Sequence, residues 1–162
     1  MLSEAQQARV WEGMLGSDIR AKYFAELSGR YSRRQQFATW ATLLFSSSDA
    51  VSFVASLPSQ LTWIRFTLAI CAAGTSIYLA LAQNDKKAFD AAGLRDRWSR
   101  LQVSFQAIWE NVEAEDAELR LKELDPLRRE ASNSAVGLLY DRKAMLKWQS
   151  HTENKYRDPS TA

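Results

Sequence analysis

Two apolar runs, residues 36–57 and 61–82, stand back to back, joined through the short turn Leu57-Pro58-Ser59-Gln60. Each is about the twenty residues an α-helix needs to cross a bilayer. Two helices joined by so short a turn must run antiparallel, so the chain is expected to form a two-span hairpin. Arg30, Arg33 and Arg34 precede the first run, Lys86 and Lys87 follow the second, and the turn carries no charge. By the bias of basic residues toward the cytoplasmic side, both termini are expected there. Trp40 and Trp63 fall near opposite interfaces and Tyr78 near the inner one, where amphipathic rings are favoured. The competing reading is a soluble bundle in which Asp49 and Arg65, which interrupt the runs, form a core ion pair. Span length favours the membrane.

Outside the runs the sequence also reads as helix, for Pro58, Pro126 and Pro159 are the only prolines and strand-like alternation is nearly absent. The fold class expected is all-α: N-terminal juxtamembrane helices, the transmembrane hairpin, and a C-terminal cytoplasmic helical hairpin. Ser3 with Gln6 is a helix N-cap pattern, and Gly16-Ser17-Asp18 reads as one short helix ending and a second beginning. From Asp18 the stripe Ile19, Tyr23, Leu27, Tyr31 leads toward the first run. Met1 to Glu12 alternates apolar and charged residues instead of giving a signal peptide, so the N-terminus is expected to stay inside. The segments are residues 1–35, amphipathic helices; 36–82, the hairpin; 83–150, an oligomerising helical hairpin; and 151–162, a flexible tail.

In the third segment Leu94, Trp98, Leu101, Phe105, Ile108 and Val112 recur in steps of four and three, a seam for another helix or for the same helix of a neighbouring subunit. Leu94, Leu101, Phe105, Ile108 and Val112 are assigned to an oligomer seam. Asp125 reads as an N-cap with Pro126 at the first helical position, opening a last helix to about Trp148 with Leu127, Ala131, Ala135, Leu138 and Leu146 inward.

The chemistry available is limited. One histidine, His151, and one cysteine, Cys71, exclude a His-based triad within a subunit, an intramolecular disulfide and a multi-cysteine metal site. A net charge of +2 gives no global field for nucleic acid. The acidic run Glu110, Glu113, Glu115, Asp116, Glu118 occupies several faces of one helix, which favours a solvated face, or a repulsive lining of a cytoplasmic vestibule, over a metal site. No enzyme, cofactor or metal is expected. The small residues Gly74 and Ser76 read as helix packing. Two constellations remain. Thr42, Ser46, Ser47, Ser48, Asp49 and Ser52 give the first run a polar face that would line a cation-preferring path around an oligomer axis; serines that merely hydrogen-bond within the bundle are the plainer alternative. Arg95, Arg97 and Arg100 around Trp98, with Arg128 and Arg129, offer guanidinium forks and a ring to a nucleotide or oligonucleotide phosphate; headgroup attraction and solvated helix faces are the alternatives.

The order of elements, the Tyr31-Ser32-Arg33-Arg34 approach to the first run, the paired runs and the segment from Leu94 to Leu101 together resemble the SLATT family of bacterial two-transmembrane effectors, over about residues 17 to 150. The resemblance carries no catalytic signature. It implies a homo-oligomeric pore, a tetramer favoured, in the bacterial inner membrane, serving anti-phage defence and switched by a nucleotide made by a partner nucleotidyltransferase, as in Hailong-type systems. A membrane-anchored scaffold that recruits a cytoplasmic protein is the rival reading.

Overall fold

The computed structural model describes residues 2–47, 52, 56, 62–138 and 140–157. Among the described residues the chain is all-helical: α1 (Glu4–Ser46), α2 (Thr62–Ala82), α3 (Asn84–Glu110), α4 (Ala117–Asn133) and α5 (Arg142–Arg157). The chain divides into two compact units, one formed by Met1–Ser28 with Phe89–Ala162 and the other by Gly29–Ala88. The first 28 residues thus belong with the C-terminal part of the chain, not to a segment of their own.

In the first unit α1 begins at the cap that Ser3 and Gln6 form, the Ser3 amide donating to Gln6 Oε1 at 2.8 Å and the Gln6 amide to Ser3 Oγ at 3.3 Å. It does not stop at Gly16-Ser17-Asp18. Ser17 and Asp18 are both buried there, Lys22 bonds Asp18 one turn on at 2.8 Å, and the Thr152 hydroxyl reaches Asp18 Oδ2 from α5 at 3.5 Å. Asp18 is thus engaged by its own helix and by α5, the Ser17 hydroxyl is buried without a partner, and the helix continues through both. Val10, Met14, Ala21 and Phe24 make the buried stripe of α1 in this unit.

That stripe meets the seam of α3. Leu94, Leu101, Phe105 and Ile108 are 2–4 % exposed within this single chain, and Val112, past the end of α3, is half-buried. Leu94, Leu101, Phe105 and Ile108, assigned to an oligomer seam, are thus already buried inside this chain, Phe105 against α1. Gly13 shows how close the two helices come, since a Cβ there would lie 2.6 Å from the Phe105 ring. Trp11 against Trp109 at 5.2 Å and Arg20 over Trp98 at 4.8 Å fix the pairing as antiparallel.

Pro126 does not open a helix. It lies inside α4, exposed, and the Asp125 carboxylate is engaged by Arg9 of α1 instead of capping. The chain then leaves the helix after Asn133 and starts again at Arg142, so the single helix expected to run to Trp148 is two. Asp141 caps α5, its Oδ1 accepting the amides of Lys143 at 3.0 Å and Ala144 at 3.1 Å. Ala131 is buried as expected, whereas Leu127 and Leu146 are exposed. The tail expected to be flexible from residue 151 is helical through Arg157. Tyr23, Glu26 and Asp18 of α1 hold it: the Tyr23 hydroxyl accepts the Asp141 amide at 2.9 Å, and Glu26 Oε2 accepts Trp148 Nε1 at 2.7 Å and Lys147 Nζ at 3.1 Å.

The second unit has a different surface. Tyr31 and Ala38 are buried, but Phe37, Trp40, Leu43 and Leu44 of α1 and Trp63, Phe66, Ile70, Ile77 and Leu81 of α2 are exposed, Phe37 by 78 % and Ile70 by 70 %. The segment that starts at Phe66 contains an 18-residue stretch long and apolar enough to cross a membrane, and none of that stretch is buried. Hydroxyls here turn back onto their own helix: Thr42 to the Ala38 carbonyl (3.0 Å), Thr67 to Trp63 (2.9 Å), Thr75 to Cys71 (2.7 Å) and Ser76 to Ala72 (3.0 Å). Gly74 meets no neighbour within 4 Å of an added Cβ and Cys71 is exposed, so neither packs tightly inside the chain. Both line a groove of about 640 Å³ between the two helices, with Arg33, Arg34 and Phe37 opposite. The helix break after α2 falls on one residue, Gln83, at φ 47°, and Asn84 beyond it donates to the Tyr78 hydroxyl at 3.1 Å.

Candidate functional site

A helix turns by about 100° per residue, so neighbours in sequence cannot share a face. Arg97 and Trp98 obey that rule and part company. Arg97 donates to Glu130 Oε1 and Ser134 Oγ, each at 3.0 Å, and with Arg100, Leu101 and Leu127 borders a small exposed hollow of about 290 Å³. Arg95 is neutralised by its neighbour Asp96 at 2.8 Å, and Arg129 is exposed. Trp98 is 1 % exposed, on a different face of α3, where the Arg20 guanidinium covers a face of its ring. The six residues expected to grip a phosphorylated ligand therefore do not form one site. No base can stack on a ring that is already buried under a cation.

Trp98 and Arg128 instead point to a residue that the sequence pattern left unnoticed, Arg20. Gly16, Ile19, Arg20, Tyr23 and Phe24 on α1 form one wall of a cavity of about 570 Å³ in the first unit. Trp98 closes it from α3, Ser132 and Ala135 from the end of α4, and Tyr140, Met145 and Gln149 from the start of α5 and the residue pair before it. The walls are aromatic and aliphatic with a few polar groups, the usual make-up of a small-molecule site, and the volume falls in the range of about 300–1,000 Å³ found for such sites.

Arg20 is the only charged side chain among those walls. Its Nη1 donates to the Gly16 carbonyl at 3.1 Å, and no carboxylate among the described residues comes within ion-pair distance of it. Burial, and then the positive charge of Arg128 nearby, push it below the ordinary arginine value. Trp98 Nε1 is buried without an acceptor. A pattern signal for Arg20 did exist: it interrupts the apolar side that Ile19, Tyr23 and Phe24 make on α1. Its meaning depends on α3 and α4, which lie far along the chain.

The polar face expected to line a path is described only in part. Thr42 is half-buried with its hydroxyl satisfied by its own helix, Ser47 Oγ donates to the Leu44 carbonyl at 3.0 Å, and Ser52 is exposed. The side chain of Ser46, and Ser48 and Asp49 altogether, lie outside the described residues, as do the Arg65 side chain and the Pro58 turn. The acidic run is spread over the end of α3, the following turn and the start of α4. Glu118 there is held below the usual carboxylate range by its bond to Lys122, and among the described residues no three His, Cys, Asp or Glu side chains stand together as a metal site. Comparison with protein-family models, with curated proteins and with solved structures found no match for this chain.

Proposed function

We propose that this chain is a non-enzymatic membrane effector: a two-span hairpin with both termini in the cytoplasm of a bacterial cell, assembled as a homo-oligomeric pore and switched by a nucleotide-type signal that its cytoplasmic helices bind. The observation that carries the membrane part is the second unit's surface. A helix as apolar as α2 would be covered if it were the core of a soluble bundle; here its apolar stretch is uncovered. Lipid is the solvent that accepts such a face, and the internal bonding of Thr67, Thr75 and Ser76 is how hydroxyls are satisfied where water is absent. The SLATT resemblance supplies the anti-phage role and a partner nucleotidyltransferase as the source of the signal.

Pore formation turns on the polar first run, above all Asp49, because an ionisable residue at membrane depth is costly unless it faces water or a partner. Expression of the chain in bacteria loaded with a membrane-potential dye tests this. Depolarisation that Asp49→Asn alters, with the assembled particle unchanged in size, supports a path lined by Asp49. A chain that is recovered without detergent sinks the membrane reading. One that is membrane-bound, assembled and never depolarising, with or without the partner enzyme, leaves only a scaffold.

A further inference from the structure

We propose that the cavity walled by Arg20 and Trp98 binds a small organic phosphate, its charged end at Arg20 and its apolar, planar portion among Tyr23, Phe24 and Met145. The inference deepens the ligand half of the reading above and does not depend on the pore half. Two features of the first unit converge on it.

The first is an uncompensated cation. Buried charges are ordinarily paired, because removing a charge from water is costly. Arg20 is half-buried with a carbonyl and a ring for company, and no acid lines the cavity. The second is the form of that cation: an arginine fork is the side chain best matched to phosphate, and the positive charge of Arg128, which also has no carboxylate partner among the described residues, adds to the demand for an anion. The rest of the wall, Ile19, Tyr23, Phe24 and Met145, sets the remainder of the ligand as apolar and flat.

Binding to the full chain in detergent, measured by calorimetry with adenosine 5′-monophosphate as probe and with adenosine and inorganic phosphate as its two halves, tests the proposal. Saturable binding of the nucleotide is expected, with each half weaker by about tenfold or more, since charge-assisted and apolar contacts both contribute. Arg20→Gln should weaken the nucleotide by a similar factor and leave adenosine unchanged. Met145→Trp, which fills the cavity with Arg20 intact, should abolish binding while the helical circular dichroism stays that of wild type. Should Arg20→Gln fail to fold, Arg20→Lys, which keeps the charge and loses the fork, takes its place with the same expected direction. No saturable uptake of the nucleotide at millimolar concentration, or equal affinity in wild type and the Arg20 variant, overturns the assignment. Binding without depolarisation in the dye experiment removes the pore and leaves the pocket; depolarisation without binding does the reverse.

Discussion

The two units answer the same helical periodicity in opposite ways. In the first, apolar residues spaced by three and four on α1 and α3 are buried against each other, with Gly13 pressed onto Phe105 and ion pairs such as Arg97–Glu130 kept at the exterior. In the second, α2 is more apolar than any helix of the first unit, yet Phe66, Ile70 and Ile77 are turned outward and its hydroxyls inward onto their own backbone. Periodicity decides that a segment is helical. What covers the helix is a separate matter: water drives the first pattern, and the uncovered apolar face of the second is the one that the proposed membrane location would bury in lipid.

The largest effect that sharpens this contrast is expected in the first unit. Phe105→Ala should cost about 3–5 kcal/mol through lost burial and the cavity left behind, whereas Phe66→Ala in the second unit should change stability little, both read by denaturant unfolding of the detergent-solubilised protein. Ile70→Lys comes next and can break the comparison. In hydrocarbon a lysine near the middle of a span costs about 2.5–3.5 kcal/mol, so the membrane-integrated fraction after alkaline extraction should fall; an unchanged fraction would place that face in water.

How much of this was legible in the residues depends on how local each feature is. The helical class, the Ser3–Gln6 cap and the inward stripe from Tyr23 to Tyr31 rest on near-neighbour patterns and are present as read. Gly16-Ser17-Asp18 and Asp125-Pro126 are equally local signals, but tertiary contacts override them: Asp18 is taken by Thr152 of α5 as well as by Lys22 of its own helix, and Asp125 by Arg9. The seam of α3 was visible in its spacing, and its partner was not, because spacing names a face and not what lies against it. The same limit hid the pocket. Trp98 drew attention to the arginines beside it in sequence, which a helix sends to other faces, while the cation that touches it comes from α1. Asp141, the cap of α5, carried a usable signal that was masked by reading α4 and α5 as one.

Two smaller tests complete the contrast. Gly13→Val should destabilise the first unit by about 1–3 kcal/mol, the cost of forcing extra atoms into a close helix contact, while the same change at Gly74, which faces open groove, should be close to neutral. The smallest is Asp141→Ala, expected to cost about 1 kcal/mol through loss of the α5 cap and to raise amide hydrogen exchange at Lys143 and Ala144 first.

One consequence concerns the order in which the protein is made. The first unit is discontinuous, built from Met1–Ser28 and Phe89–Ala162, and its opening helix is tied to Thr152 and Trp148 near the far end. On the ribosome that opening helix emerges without its partners and waits while Gly29–Ala88 is translated, roughly 3 to 12 s at 5–20 residues per second. The second unit is therefore finished before the first can begin to close, and the cavity around Arg20 exists only after the last helix has been released.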